Sequence, residues 1–559
     1  AMKGTATDKG PARHYYHRYY EKWLAPFQHK PGFKLAEIGA ERGGSLHAWS
    51  KYFSQAALIC GIAYGHLSEN VESKATSWDK VVVLRGDQSK RETMQLLLDK
   101  GPWDVIIDDG SHDPPHMVYS FFALWSAVNP GGLYVVEDLE TNYWPDGKKG
   151  YENYIRGNGV MNGPDLSAVA KFKQFVDVLH RRQIGAPEMS IMEGDDQICS
   201  IEWGMNLVAF KKCSTEEAKQ NPKFLRENYD KAIMRKWIED AKATNPTMDS
   251  PYIPSASSTS SPAPAGSPVT SISLLEAMKG TATDKGPARH YYHRYYEKWL
   301  APFQHKPGFK LAEIGAERGG SLHAWSKYFS QAALICGIAY GHLSENVESK
   351  ATSWDKVVVL RGDQSKRETM QLLLDKGPWD VIIDDGSHDP PHMVYSFFAL
   401  WSAVNPGGLY VVEDLETNYW PDGKKGYENY IRGNGVMNGP DLSAVAKFKQ
   451  FVDVLHRRQI GAPEMSIMEG DDQICSIEWG MNLVAFKKCS TEEAKQNPKF
   501  LRENYDKAIM RKWIEDAKAT NPTMDSPYIP SASSTSSPAP AGSPVTSISL
   551  LEAMKGTAT

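Results

Sequence analysis

The sequence predicts an α/β fold: a doubly wound, mostly parallel sheet of seven strands with an antiparallel last strand, present twice in tandem. Three observations predict it. First, Ala1 returns as Ala277 and again as Ala553, a period of 276 residues with no substitution between copies. A period that long is a whole domain, since solenoid and propeller units run about 20 to 50 residues. Second, apolar strand-like runs alternate with helical patterns, the signature of a parallel sheet covered by helices. Third, the fourth and fifth runs end in acids, at the sheet edge where open parallel sheets bind ligands.

In order, the strands of the first unit read KLAEIGA (34–40), AALICGIAY (56–64), KVVVLRG (80–86), WDVIIDD (103–109) and GLYVVED (132–138). The pair MSIMEG (189–194) and ICSIEWGMNLVAFKK (198–212) follows with no clear helix between, and reads as a terminal antiparallel hairpin. LHAWSKYF, KRETMQLLLDK and HMVYSFFALWSAV fill the gaps as helices. Asn221 before Pro222 reads as an N-cap with proline at the first helical position. It opens a helix that docks through Leu225, Ala232, Ile233 and Trp237.

These signals divide the chain into a domain over 1–243, a Ser/Pro/Ala-rich linker over 244–276, a second domain over 277–519, and a linker with the start of a third repeat over 520–559. The linker is too poor in apolar residues to fold, and spans about 30 Å as coil, enough for independent domain motion. Its weakly apolar end, VTSISLLEA, also admits a small docking segment. The net charge of −5, without a dense basic run, gives no argument for nucleic acid. No apolar run reaches membrane-spanning length and the start lacks a signal peptide's apolar middle, so a cytoplasmic setting is expected. Cys60, Cys199 and Cys213 show no paired spacing, which fits a reducing compartment.

The chemistry gathers at the strand ends. EIGAERGGS, Glu37 to Ser45, puts glycines between a first strand and a helix, where a nucleotide-type ligand can approach the backbone. Its glycines do not fall as G-x-G-x-x-G. Asp109 ends the fourth strand and Glu137 and Asp138 end the fifth; three converging carboxylates with no Lys or Arg nearby would repel unless a cation intervened, so a hard divalent ion is a natural ligand. The alternative is that Asp108 and Asp109 only shape a turn while Asp113 caps the helix behind Pro114. His112, three residues after Asp109, is either a general base over the same crevice or an exposed loop histidine. His116 is better suited to orient another group. The second unit repeats the acids as Asp385, Glu413 and Asp414, and the histidine as His388.

Taken together, GTATDKGPARHYYHRYYEKWL, LAEIGAERGGSLHAWSKYF, VVLRGDQSK, DVIIDDGSH and GGLYVVEDLETNYW resemble class I S-adenosylmethionine-dependent methyltransferases, specifically the metal-dependent sugar O-methyltransferases of macrolide biosynthesis. The resemblance covers about residues 3 to 213 of each unit and implies a Rossmann-like fold. It implies that Asp109, Glu137 and Asp138 hold Mg²⁺ and that His112 is the base. It further implies that Glu37, Gly39 and Ser45 line the methionine end of the cofactor, that Asp87 and Gln88 approach the adenine, and that Asp108 contacts the cofactor. In the second unit these are Glu313, Gly315, Ser321, Asp363, Gln364 and Asp384. Lys9 and the tyrosines of HYYHRYY would lie over the pocket. One departure is Ala63, where the superfamily usually carries an acid that grips the ribose; Glu69 or His66 would have to substitute.

The expected reaction is methyl transfer from S-adenosylmethionine to a hydroxyl of a vicinal diol on a small molecule, with Tyr143, Trp144 and Tyr151 on an acceptor lid over 140–159. The two copies can self-associate or form a homo-oligomer. The competing expectations are a non-catalytic scaffold with weakened cofactor binding and a divergent, hydroxylase-like use of the same crevice.

Overall fold

The computed structural model describes residues 7–11, 14–65, 67–143, 167–184, 191–220, 272–341, 343–419, 443–460 and 467–496. In the first unit the strands are β1 (Phe33–Ile38), β2 (Ala56–Ala63), β3 (Val81–Arg85), β4 (Trp103–Asp108), β5 (Val128–Val136), β6 (Ile198–Gly204) and β7 (Leu207–Lys212). The second unit repeats them as β8 (Phe309–Ile314), β9 (Ala332–Ala339), β10 (Val357–Arg361), β11 (Trp379–Asp384), β12 (Val404–Val412), β13 (Ile474–Gly480) and β14 (Leu483–Lys488). Within each unit the order is 3-2-1-4-5-7-6, all parallel except the last strand, which runs antiparallel to both neighbours. The expected fold is therefore present in both copies.

Helices α1 (His17–Leu24), α2 (Gly44–Tyr52), α3 (Leu67–Ala75), α4 (Arg91–Lys100), α5 (Pro114–Leu124) and α6 (Ala168–Ile184) cover the first unit's sheet. The central strands are mostly apolar because both faces are covered; β4 is buried at every position, its Asp104 and Asp108 included. Leu35, Val105, Ile107 and Val135 pack under Tyr16, Tyr20 and Trp23 from the α1 region.

Four expectations need correction. The described part of MSIMEG, 191–194, is turn rather than strand, and the antiparallel pair lies within ICSIEWGMNLVAFKK, which turns at Met205 and Asn206, with Asn206 left-handed at φ +71°. A tight hairpin needs only two residues at its tip, so one apolar run held both strands. Cys199 and Cys213 form a disulfide (S–S 2.03 Å) because the hairpin register, not the sequence spacing, brings their Cα atoms to 4.9 Å; Cys60 is free and buried. Asp113 stands at the N-cap of α5 but makes no side-chain cap bond, and lies 3.8 Å from His116 Nε2. The linker's last residues are structured: Leu274–Met278 is a helix capped by Ser273, with Leu274 and Ala277 buried.

The two copies share one fourteen-stranded sheet, because β6 pairs antiparallel with β13. An edge strand as buried and apolar as ICSIEWG would invite pairing, and the copies close each other's edge. The register sets Glu202 opposite Glu478, a repulsive placement that Lys22 (2.6 Å from Glu202) and Lys298 (2.6 Å from Glu478) offset. The expected helix over 222–243 and most of the linker lie outside the described residues.

Candidate functional site

A cleft of about 700 Å³ opens at the carboxyl ends of β1, β2 and β4 in the first unit, and one of about 510 Å³ in the second. Gly39 makes it possible: its φ is +93°, and a Cβ there would stand 1.8 Å from the Asp109 carbonyl oxygen. Only glycine lets the β1 and β4 ends approach so closely. Gly39, Ser45, Asp87, Gln88, Asp109 and His112 all line the cleft, and Gly315, Ser321, Asp363, Gln364, Asp385 and His388 line its counterpart.

Glu37 and Asp108 do not line it. Glu37 is fully buried beneath, accepting from Ser45 Oγ (2.8 Å) and Trp49 Nε1 (3.2 Å), and burial pushes its carboxyl up to about 7. Asp108 accepts from Gln88 Nε2 (2.8 Å) and from Ser120, and burial raises it to about 7 as well. Gln88 Oε1 in turn accepts from Ser111 N at 2.8 Å. This pair fixes the loop that carries His112, so Asp108 and the Gln88 amide are engaged in structure. Glu313 and Asp384 are buried in the same way.

Asp109, His112 and Asp138 offer ligand atoms that lie within 4.8 Å of one another, as do Asp385, His388 and Asp414. His112 Nε2 lies 3.4 Å from Asp138 Oδ2. His112 (φ +57°) and Asp138 (φ +56°) are both left-handed without being glycine, a cost that a scaffold sustains at functional sites. Asp138 is held by Tyr16 Oη and by Asn206 Nδ2 (3.2 Å), from the β6–β7 hairpin tip. Asn206 was missed in the sequence; a polar residue at a tight turn on the ligand-binding sheet edge was the available signal.

Glu137 stands apart from this group. Lys9, fully buried, places Nζ 2.7 Å from Glu137, 2.6 Å from Asp109 and 3.5 Å from Glu37, and Tyr20 Oη also donates to Glu137. The premise that no cation lies near the acids is therefore wrong: the counter-charge arrives from 100 residues upstream of Asp109, beyond any local pattern. Glu413 is held by Lys285 in the same way, at 2.8 Å. Burial opposes Lys9's charge, but Asp109, Glu137 and Glu37 together hold its pKa well above the ordinary value. Burial, then the charge of Asp109, pushes Glu137 well up. For His112, burial lowers the pKa, but Asp138 and Asp109 outweigh it and the net shift is upward. The shift of His388 is downward, where burial and Lys285 outweigh Asp414.

Of the substitutes considered for the absent ribose acid, Glu69 turns out of the cleft to within 3.6 Å of Arg85, and His66 lies outside the described residues. Tyr64, directly after Ala63, is 70% exposed at the cleft rim. Of the expected lid, Glu140 to Tyr143 is described, and Trp144 and Tyr151 are not.

No family model matches the chain. It is 36% identical over 178 residues to an 8-demethyl-8-alpha-L-rhamnosyl tetracenomycin-C 2'-O-methyltransferase of Streptomyces olivaceus, covering 30% of this chain and 42% of the relative. It is 30% identical over 196 residues to a demethylmacrocin O-methyltransferase of Streptomyces fradiae (34% and 45%) and 32% identical over 158 residues to a mycinamicin VI 2''-O-methyltransferase of Micromonospora griseorubida (26% and 37%). The chain thus spans less than half the length of these curated relatives. A solved structure of a mycinamycin-pathway methyltransferase with Mg, SAH and mycinamycin VI aligns at 26% identity over 40% of this chain and 56% of that one, with a TM-score of 0.32, too partial an overlay to argue from. In sequence, the chain is similar to O-methyltransferases named for a rhamnosyl tetracenomycin-C, demethylmacrocin and mycinamicin VI.

Proposed function

We propose that each unit is a divalent-metal-assisted, S-adenosylmethionine-dependent O-methyltransferase acting on a hydroxyl of a sugar or similar vicinal diol on a small molecule. The observation that carries this reading is the grouping of Asp109, His112 and Asp138 beside a cleft lined by Gly39, Asp109 and His112, repeated in the second unit. The names of the relatives support the reaction class.

The donor set fits a hard divalent ion such as Mg²⁺: Asp109 and Asp138 supply the oxygens such an ion prefers, and the imidazole is the least suited of the three. When bound, the ion would acidify the acceptor hydroxyl and S-adenosylmethionine would supply an electrophilic methyl group. His112 would take the hydroxyl proton on the ring nitrogen that does not face Asp138 as the hydroxyl oxygen accepts the methyl group. Asp138 orients that imidazole from 3.4 Å and stabilises its protonated form. Gly39, Ser45 and Asp87 line the cleft, which supports the roles the resemblance implies, Gly39 and Ser45 toward the methionine end of the cofactor and Asp87 toward the adenine. Glu137, which the resemblance implies as a ligand, joins the ion only by exchanging its contact with Lys9.

Ala63 and the outward turn of Glu69 favour a second reading, a binding protein of the same fold with reduced cofactor affinity. Calorimetry with S-adenosylhomocysteine, with and without Mg²⁺, separates the two: binding strengthened by Mg²⁺ supports the enzyme, and no binding at millimolar ligand overturns it. A cytoplasmic setting was expected. Among the described residues no helix is long and apolar enough to cross a membrane, and the Cys199–Cys213 disulfide weighs against a reducing compartment.

A further inference from the structure

The turn that follows the two acids of β5 is held at both of its ends, and one of those ends is held by the other copy. Residues Leu139–Tyr143 form a 3₁₀ turn directly after Asp138. Its Thr141 Oγ1 donates to the carbonyl of His112 at 2.8 Å, which ties the turn to the loop bearing the base. Two residues on, Tyr143 Oη donates to Asp453 at 2.5 Å, on the helix Ala444–Ile460 of the second unit. His456, one turn along that helix, stacks on the Tyr143 ring with centroids 6.2 Å apart. Lys173 of α6 also pairs with Asp453.

The arrangement is reciprocal. Tyr419 Oη donates to Asp177 of α6 at 2.5 Å, Lys449 pairs with Asp177, and His180 stacks on Tyr419 at 6.3 Å. Thr417 Oγ1 donates to the carbonyl of His388 at 2.8 Å. An isologous contact of this kind repeats every interaction about its two-fold axis.

We propose that each unit's site is positioned in trans: Asp453 and its helix fix the turn beside Asp138 and His112, and Asp177 with α6 does the same for Asp414 and His388, so the working unit is the pair of repeats. This rests on the function proposed above for what the sites bind. The physical argument is that His112 and Asp138 both sit in left-handed backbone, which persists only where surroundings over-determine it. The Thr141 and Tyr143 bonds supply that constraint from two sides.

The test uses the full chain with one site removed. The D385N chain keeps the first site intact, and Mn²⁺ binding is read by calorimetry alongside the ¹³C signal of the His112 imidazole and the melting temperature. Adding D453N is expected to weaken Mn²⁺ at least fivefold and to shift the His112 signal with little change in melting temperature. The same change at D177N is expected to produce a loss at least fivefold smaller. Y143F should reproduce the part of the D453N defect that runs through Tyr143, and the Y143F/D453N double variant should be no worse than D453N alone, since Asp453 holds Lys173 as well as Tyr143. Equal losses from D453N and D177N, or an unmoved His112 signal, overturn the inference. If the unmodified chain binds no Mn²⁺, the function proposed above fails, while the His112 signal still decides whether the positioning is in trans.

Discussion

Lys9 is the residue on which the electrostatics of the site turn. Its ammonium, buried among Glu37, Asp109 and Glu137, neutralises charge that the strand ends concentrate. Breaking a buried ion pair from one side leaves uncompensated charge and typically costs about 3 to 5 kcal/mol. Lys9→Met should therefore lower stability by that order in urea denaturation, and millimolar Mg²⁺ should restore more of it in the variant than it adds to the unmodified chain. His112 and Asp109 separate in a second measurement. In the D385N chain, which leaves only the first site, His112→Ala should reduce methyl transfer about 100-fold or more while weakening Mn²⁺ less than tenfold, because a positioned base contributes on that scale. Asp109→Asn should lose both. Intact turnover in His112→Ala would reassign the proton to another group.

At the scale of elements, the β1 and β4 ends form one structural joint. Gly39→Ala places a methyl group into the Asp109 backbone and demands φ +93° of a residue with a side chain. We expect a loss of about 2 kcal/mol or more, read as a lower melting temperature, with cofactor affinity falling alongside. This joint was legible in the sequence because glycine after an apolar run and acids at the next strand ends are local signals. So were the five strands β1 to β5, whose apolar runs end in turn residues. The hairpin β6–β7 was not, since its two strands and its tip form one unbroken apolar run that periodicity alone cannot divide. Asn206 and the Cys199–Cys213 pairing were hidden with it, because both depend on register rather than on spacing. The resemblance put Lys9 over the pocket, but its pairing with Asp109 was hidden for a different reason: an ion pair across 100 residues leaves no trace in a single sequence.

For the whole molecule, the repeat suggested two independent domains, yet β6 and β13 join them through a strand pair whose own charges oppose it. Glu202 and Glu478 face each other, and the junction holds only while Lys22 and Lys298 lie between them. Burial alone would raise the Glu202 carboxyl, but the charges of Lys22 and Lys298 overcome it and depress it from 4.5 to about 2. A carboxylate with a depressed folded pKa contributes stability that is present in full above its unfolded value and is lost as pH falls through its folded one. The junction should therefore weaken between about pH 4.5 and pH 2, by an amount on the order of 3 kcal/mol for Glu202. The Glu202→Gln/Glu478→Gln chain removes the Glu202 carboxyl, so its melting temperature should fall less steeply than that of the unmodified chain over this window. At neutral pH the order reverses, because Lys22 and Lys298 then face neutral amides and the variant is the less stable chain. Parallel melting curves across that range would place the acid-sensitive step elsewhere.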